Sequence, residues 1–141
     1  MLQRKQKTLY LQRSLRVTGE NGNVFKLVLR RHEELLLDFS VILTFVDRDG
    51  EEYRLTRFNG RHSEHTNKLE KAQGEPEHSF RDAFHVHLAT ERYQLAGLEI
   101  DGYATITNLY GSYDQALEEF LSAYAFVAPS KDIPGQQSLG I

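Results

Sequence analysis

Apolar and polar residues alternate with a period of two through most of residues 9–58, which commits that stretch to half-buried β-strands. Leu9, Leu11, Leu15 and Val17 share one parity, opposite Tyr10, Gln12, Ser14 and Arg16. The turn Thr18-Gly19-Glu20-Asn21-Gly22-Asn23 contains an Asn-Gly pair, and both residues tolerate the positive φ of a hairpin. From Val24 to Arg31, Phe25, Leu27 and Leu29 then face away from Lys26 and Arg30. Leu35, Leu37, Phe39, Val41, Leu43 and Phe45 oppose Asp38, Ser40 and Thr44 in a third strand. Asp47-Arg48-Asp49-Gly50 turns the chain into a fourth, Glu51 to Phe58. Such short turns specify an antiparallel meander, because parallel neighbours need long crossovers.

The pattern stops at residues 59–78, a polar stretch with Gly60, Gly74 and Pro76 in which Leu69 is the only large aliphatic residue. A loop this long in a small domain is functional or disordered, with room here for a short helix within 63–72. A fifth strand is predicted from Phe80, with Phe84, Val86 and Leu88 alternating with His85, His87 and Ala89. Asp101-Gly102 predicts a further hairpin between 98–100 and 103–106. Tyr113, Ala116, Leu117, Phe120, Leu121 and Tyr124 recur at helical spacing, so Tyr113 to Phe126 reads as a helix. Ser112 is its N-cap and Gln115 completes a capping box.

The expected fold is therefore an α+β domain: an antiparallel sheet of five or six strands with one C-terminal helix packed on one face. Its predicted core is Leu37, Phe39, Val41, Leu43, Phe45, Phe84, Val86, Leu117, Phe120 and Leu121. A single domain over 1–127 and a frayed tail over 128–141 are expected. With 141 residues, 40% hydrophobic and 26% charged, the chain has room for one core and is not collagen-like, disulfide-framed or wholly disordered. The absence of cysteine removes a thiol nucleophile, a disulfide and a thiolate metal site. No apolar run is long enough to cross a membrane, and the basic start leads into no export signal, so a cytoplasmic location is expected.

Charge is unevenly placed. The net of −3 combines +7 over residues 1–31 with −10 over the remainder. A basic end on an acidic body suits a local anionic partner such as RNA, or docking of the protein's own two ends. On the first hairpin, Tyr10, Arg16, Lys26 and Arg30 share one parity; an aromatic among cations can stack a base while the cations hold phosphates. An ordinary solvated strand pair would look the same.

Five of the six histidines, His62, His65, His78, His85 and His87, fall within 26 residues. Imidazole is the side chain that titrates near neutrality. His85 and His87 share a strand face opposite the apolar one, and three readings of the cluster stay open. A metal-independent ribonuclease needs a base for the 2′-hydroxyl, an acid for the leaving oxygen and a cation on the phosphate. His85, His87, His62 and His65 with Arg57 supply those parts, Tyr93 adds a proton donor, and Arg61 or Arg92 could replace Arg57. Parity places Arg57 with Tyr53 and Leu55 on the core-directed side, which limits its access to the histidines. Alternatively His62, His65, His85 and His87 ligate a metal, with Glu64 or Glu91 as an oxygen ligand. In the third reading the histidines are structural, and the protein is a non-enzymatic binding or adaptor module.

Two resemblances bear on these readings. His85-Val86-His87-Leu88-Ala89-Thr90-Glu91 is similar to the His-x-His-x3-Glu metal segment of cupins, without their preceding glycine or second motif. Residues 54–93 resemble the small bacterial TumE-type proteins, through Arg57-Phe58-Asn59-Gly60-Arg61-His62-Ser63-Glu64-His65-Thr66-Asn67 and Phe84-His85-Val86-His87. That second resemblance implies the toxin half of a toxin–antitoxin pair, acting on RNA, with a cognate antitoxin protein as partner; no cofactor is expected. The residues it carries over are Arg57, His62, His65, His85 and His87.

Overall fold

The computed structural model describes residues 9–61, 63–99 and 102–124. His62, Ile100 and Asp101 of the predicted hairpin, the last two predicted helix residues Ala125 and Phe126, and the 128–141 tail lie outside the described residues. Among the described residues eight strands, β1 (Tyr10–Thr18), β2 (Val24–His32), β3 (Phe39–Val46), β4 (Glu52–Asn59), β5 (Glu64–Thr66), β6 (Ser79–Arg81), β7 (His85–Leu88) and β8 (Tyr103–Ile106), join three helices. The helices are α1 (Lys68–Ala72), α2 (Glu91–Leu95) and α3 (Tyr113–Ala123).

Six strands form one antiparallel sheet in the order β1-β2-β3-β4-β7-β8, and β5 pairs with β6 in a separate two-stranded ribbon. α3 covers one face. Leu27, Leu29, Phe39, Val41, Leu43, Phe58 and Val86 from the sheet meet Tyr113, Ala116, Leu117 and Phe120 from the helix. The Ser112 hydroxyl accepts from the Gln115 N–H (3.2 Å), while the Gln115 side chain reaches Gly111 N–H (2.8 Å) instead of closing the box on Ser112. No described helix is long and apolar enough to cross a membrane.

Several expectations are corrected. Leu35 and Leu37 are exposed rather than core-facing, because residues 33–38 form a turn. His32 Nδ1 accepts from the N–H groups of Glu34 and Leu35 (3.0 and 2.9 Å) and so holds that turn. Phe45 lies outside the buried cluster, half-buried between Phe25 and Tyr53, with ring centroids 5.8 and 6.4 Å away. Phe84 and Leu121 pack on the cluster only partly buried. The single strand expected from Phe80 to Leu88 is split: Asp82 takes φ 51, leaving Phe80 in β6 and His85 in β7.

Among the described residues the expected 98–106 hairpin has no first strand: β8 pairs with β7 and Leu98 and Glu99 are in no strand, while Ile100 and Asp101 lie outside the described residues. Gly97 at φ 73 ends α2 instead, with Leu98 N–H donating to Tyr93 O and Gly97 N–H to Gln94 O, both 3.1 Å. This is a Schellman stop, and α1 ends the same way at Gly74.

The polar stretch after β4 therefore holds β5 and α1, and its pairing with β6 just beyond places His65 beside His85 and His87. α1 and α2 are tied together where the Tyr93 hydroxyl donates to Glu70 Oε1 (2.6 Å) and Arg92 Nη1 meets Glu70 Oε2 (2.8 Å). Desolvation would raise the Glu70 carboxyl, but the hydrogen bonds from Tyr93 and Arg92 outweigh it and hold it below the ordinary value. Glu70 therefore contributes its full stability above the unfolded carboxylate value, and loses it as pH falls through the lowered folded one. Burial, then the bond to Glu70, pushes the Tyr93 phenol up to about 12, so its contribution is lost only as pH rises through that value. Urea midpoints measured across the acid range should fall below about pH 4 in the parent. The fall should be shallower in Glu70→Gln; parallel curves would show that the tie carries no acid sensitivity.

Candidate functional site

The cross-strand register decides which side chains can meet. On the face opposite α3, one row runs Ser14, Val28, Ile42, Arg57, His87 and Ala104, and the next runs Gln12, Arg30, Ser40, Asn59, His85 and Ile106. Arg57 was expected on the core side with Tyr53 and Leu55. It is on the other face because Leu43 pairs with Thr56 and Thr44 with Arg54, leaving Leu55 as the extra residue of a β-bulge. The bulge shifts the parity of the end of β4, so Phe58 enters the core and Arg57 lies beside His87.

His65, His85 and His87 form one cluster, with ring centroids 4.8 Å apart for His65 and His87, 5.0 Å for His85 and His87, and 6.3 Å for His65 and His85. Their hydrogen bonds separate their roles. His85 is 1% exposed; its Nδ1–H donates to Ala83 O (2.8 Å), so Nε2 accepts from Asn59 Nδ2 (3.2 Å). The Ser40 hydroxyl donates in turn to Asn59 Oδ1 (2.7 Å), and the Tyr110 hydroxyl reaches the carbonyls of Asn59 and His85 (2.9 and 3.0 Å). Both nitrogens of this ring are engaged deep in the sheet. His87 instead accepts at Nε2 from Arg57 Nη2 (3.2 Å).

Asn67 fixes the third ring. Its Nδ2 donates to Ala104 O and its Oδ1 accepts from Ala104 N–H, both at 2.8 Å, so the side-chain amide pairs with β8 as a strand would. Because Oδ1 is thereby the acceptor, His65 Nε2 (2.8 Å) must carry its hydrogen. Asn67 was not among the expected site residues. Its position just before α1 reads as an N-cap, yet the side chain makes no cap bond. Asn67→Ala should cost about 2 kcal/mol in chemical denaturation, because both buried Ala104 groups lose their partner. A loss under about 0.5 kcal/mol, the usual surface level, would refute that role.

Arg57, His65, His87 and Tyr93 line a cleft of about 270 Å³ together with Glu64, Thr66, Lys68, Leu98, Glu99 and Gly102. Four expected site residues thus share one opening. Its charges are the Arg57 and Lys68 cations with Glu64 and Glu99; Glu64 is paired to Arg81 at 2.7 Å. The Tyr93 hydroxyl is committed to Glu70 and accepts from Leu69 N–H (3.2 Å), so this residue braces the site.

The residues expected to contact nucleic acid are placed differently. Tyr10, Arg16, Lys26 and Arg30 share the histidine face of the sheet, toward its β1 edge. Arg30 covers the Tyr10 ring at 3.8 Å, Tyr10 hydrogen-bonds Asp38, and Lys26 pairs with Glu52 at 3.2 Å. Arg16 is exposed, and Arg61 lies 5.9 Å from the Phe84 ring, outside the cleft lining. Among the described residues, no group of three His, Asp or Glu side chains could hold a metal ion. No family model matches this chain, and no curated protein or solved structure is significantly similar to it.

Proposed function

We propose that this protein is a small RNA-directed endoribonuclease of toxin type that works without a metal ion and is restrained by a cognate antitoxin protein. The observation that carries this reading is the meeting of Arg57, His65 and His87 on one cleft, which joins two proton carriers to a cation suited to phosphate. A bound phosphate draws Arg57 away from His87 and frees the Nε2 lone pair to take the 2′-hydroxyl proton. The 2′-oxygen then attacks the adjacent phosphorus and the bond to the 5′-oxygen breaks. Protonated His65, held through Nε2 by Asn67, gives its Nδ1 proton to that leaving oxygen. The products are a 2′,3′-cyclic phosphate and a 5′-hydroxyl end. Lys68 at the cleft adds positive charge for the strand.

A second reading, a binding module with structural histidines, is favoured by His85, whose two nitrogens are both engaged within the protein. One assay separates the two. Purified protein is incubated with single-stranded RNA in excess chelator, beside the His65→Ala/His87→Ala double variant. Cleavage by the parent and not by the folded double variant supports the nuclease; an inert parent, or equal cleavage by both, sinks it. Expression should also arrest growth in the parent and not in the double variant.

A further inference from the structure

The far edge of the sheet carries a second feature, unrelated to the histidine cleft. Among the described residues β1 pairs only with β2, so one side of this nine-residue strand is open. Glu33 N–H donates to Leu9 O (2.7 Å), which sets the alternation of the ladder. By that alternation the N–H and C=O groups of Gln12, Ser14 and Arg16 point outward. Against this edge, between the sheet and the start of α3, lies a cavity of about 130 Å³ lined by Leu11, Gln12, Arg13, Leu29, Arg31 and Tyr113. Leu11 is 41% exposed beside it, and Arg31 Nε is buried with no hydrogen-bond acceptor among the described residues. Natural sheets blunt open edges or use them to bind another strand.

We propose that the β1 edge and this cavity form a docking site for an acidic, extended segment of another protein, which adds to the sheet as a strand. The outward backbone groups of β1 supply the ladder. The cavity takes one aliphatic side chain of the segment on Leu11, Leu29 and the Tyr113 ring, and its carboxylates meet Arg13 and Arg31. The charge fits: residues 1–31 carry +7. A second copy fits poorly, since β1 carries Arg13 and Arg16 and no acidic residue to pair with them. RNA would satisfy the guanidinium groups but not the strand ladder or the apolar lining.

The test uses the whole protein and a short fluorescein-labelled peptide of alternating glutamate and isoleucine, read by fluorescence anisotropy and backbone amide NMR. Its lysine counterpart and a labelled oligouridylate serve as controls. The acidic peptide should bind, shift the amides of residues 11–17, and bind at least tenfold more weakly to Arg13→Glu and to Ser14→Pro. The proline removes only an outward N–H; if that variant does not fold, Arg13→Glu decides alone. Absence of peptide binding, equal binding by the variants, stronger binding of the oligouridylate at these amides, or dimerisation through β1 would each overturn the proposal.

Discussion

Replacing Gly60 with alanine is expected to lower the free energy of unfolding by about 3 kcal/mol or more, a large loss for a single added methyl. A Cβ at this position would lie 2.8 Å from the Leu37 carbonyl carbon, closer still to its oxygen, and 3.1 Å from Phe39 Cδ2. The obstacle is backbone, and the backbone is pinned. Gly60 N–H donates to Phe39 O and Arg61 N–H to Leu37 O, both at 2.9 Å, so the strands cannot part without breaking those bonds. A shift here would also drag Asn59 from His85 and disturb the base of the histidine cluster. Gly22→Ala is the internal control. At φ 82 with nothing near its added Cβ, it should cost only about 1 kcal/mol for backbone strain. Urea denaturation of both variants decides the matter: equal losses would mean that the close approach at Gly60 is not limiting.

The two parts of the chain differ in how much their residues disclose. Up to Asn59 each strand pairs with the next one in sequence, so period and turn residues suffice for the meander. The helix from Tyr113 was legible because its stripe has only one face to bury. The site was less so, because it depends on register. A single extra residue at Leu55 moves Arg57 to the opposite face, and no residue type there announces a bulge. The 98–106 region was misread for a related reason. Gly102 N–H donates to Glu99 O (3.0 Å) as a turn residue would, but no strand precedes it among the described residues, because Gly97 stops α2, and a Cβ on Gly102 would lie 2.9 Å from the Tyr93 ring. Asn67 was hidden because its partner, Ala104, is 37 residues away and contributes only backbone. That His65 would join the other two histidines depends on such tertiary bonds rather than on spacing.

The histidines that the sequence groups together should therefore behave differently when removed, and this contrast tests the proposed chemistry hardest. His87→Ala and His65→Ala are each expected to cut RNA cleavage in chelator by about 10²–10⁴-fold, the range for a positioned acid or base. His65→Ala should change the melting temperature little by comparison, whereas His87, 3% exposed and bonded to Arg57, also loses stability on removal, so its cleavage is compared at equal folded fraction. His85→Ala should show the reverse order, because its ring is walled in at 1% exposure and bonded to Asn59 and Ala83. Leaving those two buried groups unpaired costs about 2 kcal/mol of stability, and any fall in cleavage should follow the folded fraction. Asn59→Asp provides a further check, because it replaces the amide that donates to His85 Nε2 with an acceptor. It should loosen β4 from β7 without removing either cleft histidine. If His85→Ala abolishes cleavage while the protein stays fully folded, and His65→Ala does not, the proton carriers have been assigned to the wrong rings. Equal loss in all three variants, each proportional to unfolding, would instead identify the cluster as structural.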